Sequence, residues 1–132
     1  MSDYTISRRG DATDYMASYE GFGEMLSYTD SLGAEQVALT WRRMPPGTGG
    51  RGSYGHRHLT QEEIYLVTLG TITFKIGDDV FEAGPGTAVR IAPQALRSIH
   101  NDGETEAEVV LCSIRVDDLG PEVVTEDEFW ID

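Results

Sequence analysis

The stretch Gly55–Gly70, GHRHLTQEEIYLVTLG, decides how this chain is read. In a β-strand successive side chains alternate faces, so His56 and His58 project to one side and Arg57 to the other. If the next strand returns antiparallel, Glu63 comes back onto the same face, followed at the strand period by Tyr65 and Val67, while Ile64, Leu66 and Thr68 face away. Two imidazoles and one carboxylate form a facial set that suits a divalent ion such as Fe, Mn, Zn or Ni. The simpler reading makes His56 and His58 loop residues and Glu62 and Glu63 solvated charges.

The rest of the chain reads as mostly β. Fifteen glycines and five prolines punctuate short runs rich in Val, Ile, Leu, Thr and Tyr, and no segment keeps a helical apolar period for three turns. The strand candidates are EMLSYTD, QVALTWRRM, EEIYLVTLG, TITFKIGDD, VFEAG, TAVRIAP, RSIHN and AEVVLCSIRV, separated by turns such as SLGAE, IGDDV, AGPG and NDGETE. About eight strands at this spacing favour a closed barrel or a double-sheet jelly roll, which removes open sheet edges.

At 132 residues the chain fits one domain. Residues 1–20 read as an N-terminal arm, 21–120 as the barrel and 121–132 as an acidic tail whose Phe129 and Trp130 could dock or fray. Twenty-three acids against ten Lys and Arg give a net charge of −13, which repels phosphate backbones and argues against a nucleic-acid partner. The start of the chain lacks the apolar core of a secretion signal, and no apolar run approaches the roughly 20 residues that span a bilayer. The single cysteine, Cys112, sits in the apolar run VVLCSI and is expected in the core. A cytoplasmic, soluble protein is the expectation.

The spacing Gly50, His56-Arg57-His58, Glu63, Gly70 resembles the first conserved motif of the cupin superfamily, complete at every position. The resemblance implies an all-β, cupin-like double-stranded β-helix, a jelly-roll barrel, over roughly Val37 to Val116. It also implies a metal site with His56, His58 and Glu63 as ligands, and a homodimer closing through a sheet edge or the N-terminal arm. A second motif is expected downstream, and it begins with Gly86 and Pro93 and ends at Asn101. Between them it departs, because Gln94 replaces a glycine and Arg97 stands where the fourth ligand, a histidine, belongs. A guanidinium has no acceptor lone pair and cannot ligate a metal. His100, three positions on, falls on the opposite face of a regular strand.

Two functional readings follow. In one, the three-ligand ion has open positions, Arg97 and Tyr65 bind a small anionic or oxygenated ligand, and the protein is an enzyme of dioxygenase, isomerase or decarboxylase type. In the other, Arg97 pairs with Glu63 in place of the metal, and the barrel is a non-catalytic small-molecule sensor. Trp41 shares parity with Val37 and Leu39 and is read as lining the barrel interior. Tyr54, in the glycine-rich PPGTGGRGSYG, is a candidate for the barrel mouth.

Overall fold

The computed structural model describes residues 3–131. Among them the chain forms β1 (Thr13–Asp14), β2 (Glu24–Ser27), a one-turn helix α1 (Thr29–Leu32), β3 (Val37–Met44), β4 (Gly55–His58), β5 (Glu63–Leu69), β6 (Ile72–Ile76), β7 (Asp79–Ala83), β8 (Ala88–Ile91), β9 (Arg97–His100), β10 (Ala107–Ile114), a second short helix α2 (Leu119–Glu122) and β11 (Val123–Glu126). They build two sheets, one of six strands in the order β1-β2-β3-β10-β5-β8 and one of five in the order β11-β4-β9-β6-β7. Every pairing between these strands is antiparallel. The jelly-roll barrel expected from the sequence is thus the architecture found.

Strand alternation locates the interior. Along β5, Glu63, Tyr65 and Val67 are buried and Ile64, Leu66 and Thr68 are exposed, the half-buried pattern of a strand with one face on a core. Tyr65 and Val67 meet residues of the opposite sheet in one cluster with Ile72, Phe74 and Ile99, and the Tyr65 and Phe74 rings pack edge to face with centroids 5.6 Å apart. Two motif glycines have visible reasons. A Cβ on Gly50 would overlap the Ser98 hydroxyl. Gly70 has φ +69° and leaves room for the Glu106 carbonyl, which a Cβ would approach to 2.5 Å.

Several expectations are corrected. The run EMLSYTD is a strand only to Ser27, after which α1 forms and ends at Gly33 in the left-handed conformation. Trp41 does not line the interior. Across the sheet, Arg42 stands opposite Val109, which stands opposite the buried Val67, so the inward residues of β3 are the even-numbered ones. Trp41 therefore faces outward, where Arg9 from the chain start lies 4.7 Å over its ring and Glu108 accepts its indole N–H at 3.2 Å. Cys112 shares this outward parity and is half-buried rather than a core residue.

The chain start lies against its own barrel. β1 pairs with β2, and Asp14 accepts the backbone N–H groups of Met16 and Met25 at 2.9 and 3.0 Å. The chain end does the same, since β11 pairs with β4 along its whole length. Trp130 is almost completely buried beside His100 and Arg51, and Lys75 donates to the Phe129 carbonyl at 2.7 Å.

Candidate metal centre

β4 is short, four residues, but it is held on both sides: β11 pairs with it on one edge and β9 on the other, with His56 opposite both Thr125 and Arg97. The His58 N–H donates to the Pro93 carbonyl at 2.8 Å, which continues the ladder past the end of β9. Both imidazoles therefore enter the barrel from the five-stranded sheet. Glu63 enters from the six-stranded sheet as the first residue of β5, between Ile91 of β8 and Ser113 of β10. The loop Leu59–Glu62 is what joins the two walls at this point.

The three side chains converge. Glu63 Oε1 lies 3.2 Å from His58 Nε2 and 3.9 Å from His56 Nε2, and one ligand atom from each residue falls within 4.8 Å of the others. The two rings meet edge to face with centroids 5.1 Å apart. His58 is the deeper one, with 6% of its side chain exposed against 28% for His56, so approach to the set runs past His56. Two clefts of about 450 and 150 Å³ beside α1 and Arg115 lie at the surface, and none of these three residues lines them.

Burial by itself would raise the Glu63 carboxyl. The imidazoles of His56 and His58 and the Arg97 guanidinium outweigh it and hold the group well below the usual carboxylate range. Tyr65 donates its hydroxyl to Glu63 Oε1 at 3.2 Å. Burial, together with the adjacent Glu63 charge, pushes the phenol pKa up, so this residue is a fixed hydrogen-bond donor. By contrast Glu62, half-exposed, pairs with Arg90 at 2.6 Å away from the interior.

A test of whether this set suits a cation comes from His58. Both of its ring nitrogens are buried and neither makes a hydrogen bond of acceptable geometry, although carboxylate oxygens lie at 3.2 and 3.3 Å. A buried imidazole left this way is costly unless something else takes its lone pair. An ion shared with Glu63 would do so, and the donor set of two nitrogens and one oxygen is of the kind such ions take.

The sequence reading missed the residue on the far side of His58. Glu122 Oε2 stands 3.3 Å from His58 Nδ1, and the carboxylate also accepts from the Thr60 N–H at 2.9 Å, the Thr60 hydroxyl at 2.6 Å and the Gln61 N–H at 2.9 Å. Burial would raise its pKa, but these donors and His58 lower it to about 2, so it is an anion in the fold. A carboxylate behind a histidine orients the ring and raises its basicity toward a metal.

Arg97 is completely buried. Its Nη1 donates to the Pro93 and Ala95 carbonyls at 3.1 and 3.0 Å, its Nη2 to the Ala92 carbonyl at 3.3 Å, and Nη2 also lies 3.6 Å from Glu63 Oε1. The fork that could grip a ligand is turned to the Ala92–Ala95 loop and to Glu63. His100 faces outward, where its Nδ1 accepts the Arg51 N–H at 3.3 Å and its ring packs near Trp130. Asn101 is buried at the corner that follows, donating to the Met44 and Thr105 carbonyls at 2.9 Å each.

Comparison with known proteins agrees with this architecture. A family model described as a cupin domain matches residues 40–114. An uncharacterized protein of Methanocaldococcus jannaschii is 31% identical over 58 residues, which are 44% of this chain and 46% of that protein. The match thus spans less than half the length of that curated relative. Among solved structures, a cupin protein from Bacteroides fragilis superposes with a TM-score of 0.69 at 20% identity, covering 89% of each chain. A sugar phosphate isomerase of the cupin superfamily from Silicibacter pomeroyi superposes with a TM-score of 0.67 at 15% identity, covering 96% of this chain and 88% of that one. At these identities the structural likeness shows the fold alone.

Proposed function

Because this chain belongs to the cupin family, whose model matches more than half of it, we propose that His56, His58 and Glu63 hold a divalent metal ion at which a small anionic or oxygenated metabolite is bound and turned over. The observation that carries this reading is the convergence of three donors from two sheets, one of them a buried histidine with both nitrogens unsatisfied. With three protein ligands such an ion keeps open positions and supplies Lewis-acid or redox chemistry there. The sugar phosphate isomerase from Silicibacter pomeroyi shares the fold and is compatible with an isomerase, though dioxygenase and decarboxylase chemistry fit the same donor set.

The chain's own residues have distinct parts in this reading. Glu63 is kept ionised, so it is ready as a ligand at any neutral pH. Tyr65 fixes its orientation through the 3.2 Å hydrogen bond, and Glu122 places a negative charge 3.3 Å behind His58 Nδ1. Arg97 is the counter-charge of Glu63 and ties it to the Ala92–Ala95 loop. We place Arg97 there rather than on the substrate because both Nη atoms already donate to loop carbonyls, although its buried Nε has no partner. A carboxylate between a metal ion and a guanidinium screens two like charges that would otherwise repel.

The second reading, a metal-free ligand-binding barrel, is favoured by the same 3.6 Å approach of Arg97 to Glu63. Introducing Arg97→His separates the two. If the native chain already binds one divalent ion per chain, that substitution adds at most a ligand; if occupancy rises from near zero, the native site is built to be empty.

Glu122→Gln gives a further check. It leaves Thr60 and Gln61 with an acceptor but removes the charge behind His58, and it is expected to weaken metal affinity by about 10- to 100-fold. Competition against a chromophoric chelator measures this, with circular dichroism confirming an unchanged fold. Unaltered affinity would show that Glu122 serves only the Thr60–Gln61 turn. We also propose a homodimer. Val37, Ile64, Leu66 and Ile114, each at least 39% exposed on the outer face of the six-stranded sheet, are where a second copy would pack.

A further inference from the structure

The two arginines of the run TWRRM, Arg42 and Arg43, go to opposite faces. Arg43 points outward and is ion-paired with Glu24 at 3.0 Å and with Glu106. Arg42 points inward, on the row formed by Met25 of β2, Val109 of β10 and Val67 of β5. Among the described residues no carboxylate, carbonyl or hydroxyl accepts from its guanidinium, and its Nε is buried without a partner. A guanidinium does not discharge at neutral pH, so this is a partly buried cation on the inward face of the sheet with no carboxylate partner among the described residues. Arg42 is partly buried and of its three nitrogens only Nε is a buried unpartnered atom, so the two Nη atoms are open to solvent or to a ligand entering the barrel.

The surroundings describe such a ligand. Burial lowers the Arg42 pKa, and the phenols of Tyr54 and Tyr65 act in the opposite sense. Tyr65 is buried and bonded to Glu63, while Tyr54 is half-exposed on the loop that precedes β4. Val67 and Val109, both fully buried, supply an apolar wall on the same row. Along β5 the row of Glu63 and the row of Arg42 are four residues apart, about 13 Å of strand, with the Tyr65 row between them. The charge balance points the same way. Glu63 and Glu122 would offset a divalent ion, Arg97 is turned to Glu63, and Arg42 is left over.

We infer that Arg42 is the anchor for a small carboxylate ligand held inside the barrel, its planar fork meeting the two carboxylate oxygens from the wall that faces the histidines. One guanidinium, with a phenol hydroxyl near it, matches the acceptors of a carboxylate. A phosphate dianion presents more acceptors than this wall has donors. The inference rests on the proposed function only in taking the barrel interior as the ligand's compartment, and it does not require the metal.

The experiment titrates metal-free and cobalt-loaded protein with glycolate, and in parallel with inorganic phosphate, by calorimetry on the native chain and on Arg42→Gln. The expected result is glycolate binding that falls tenfold or more in Arg42→Gln in the metal-free form, with cobalt stoichiometry equal in the two proteins. Equal glycolate affinity in the two proteins would overturn the inference, as would the absence of glycolate binding to the native chain. Phosphate bound more tightly than glycolate, and lost with Arg42, would overturn the carboxylate assignment. Should Arg42→Gln not fold, Arg42→Lys keeps the charge and loses the fork; a clear drop in glycolate affinity supports fork recognition, and native affinity contradicts it. Failure of cobalt to bind while Arg42-dependent glycolate binding persists would remove the metal reading and leave this inference standing.

Discussion

Glu63→Gln is expected to abolish stoichiometric binding of divalent metal and, in metal-free protein, to lower the unfolding free energy by about 3 kcal/mol, the order seen when one partner of a buried charge pair is removed. Glu63 is buried and lies against His56, His58 and Arg97 at 3.9, 3.2 and 3.6 Å, so it is the counter-charge of Arg97 and the carboxylate shared by both imidazoles. Glutamine keeps the shape and one acceptor for Tyr65 but leaves the fully buried Arg97 without its counter-charge. Chemical denaturation with and without a chelator separates the two effects. A variant as stable as the native chain would mean that solvent, not Glu63, balances Arg97.

Arg97→Met is expected to destabilise the chain by at least as much, about 3–5 kcal/mol, because the buried Glu63 loses its guanidinium partner and the Ala95 carbonyl loses its donor, while the Ala92 and Pro93 carbonyls keep only the Ala95 and His58 N–H groups. Those carbonyls are Ala92, Pro93 and Ala95, and Pro93 is also the acceptor for the His58 N–H. The loop and the second histidine are therefore coupled through one arginine. The metal should still bind, with reduced affinity, since the ligands themselves remain. Thermal unfolding of Arg97→Met beside Arg97→Lys measures this: lysine keeps the charge but, as a point charge on a flexible stem, cannot meet three carbonyls and Glu63 in one plane. If Arg97→Met unfolds like the native chain and only ligand binding falls, the arginine serves the ligand after all.

Much of the fold could be read from local pattern. The alternation of Glu63, Tyr65 and Val67 against Ile64, Leu66 and Thr68 assigns two faces to β5 without further information, and the buried and exposed sets divide the same way. Gly50 and Gly70 sit where contact with Ser98 and with the Glu106 carbonyl leaves no room for a side chain.

What misled was the assumption that the apolar parity of a strand is the inner one. In β3 it assigns Val37, Leu39 and Trp41 to the interior, yet these face outward and Thr40 and Arg42 face in. The rule fails because Trp41 is covered on the outer face by Arg9 of the chain start, and because the inward row of this strand carries the polar Thr40 and Arg42. This error concealed Arg42. Glu122 was concealed for a different reason. It is 64 positions from His58, in a segment that reads as a plain acidic tail, and only the pairing of β11 with β4 brings it behind the ring. No local spacing could have shown that contact. Arg97 was visible as a departure from the second motif, but its role depends on the path of the Ala92–Ala95 loop, which sequence does not give.

The most direct measurement is the metal content of untagged protein by elemental analysis, followed by cobalt titration monitored in the visible, on the native chain and on His58→Ala. The account predicts one divalent ion per chain, a cobalt spectrum with nitrogen and oxygen ligation, and loss of both in the variant. Metal far below one per chain that cobalt cannot raise, or binding unchanged in His58→Ala, would contradict it.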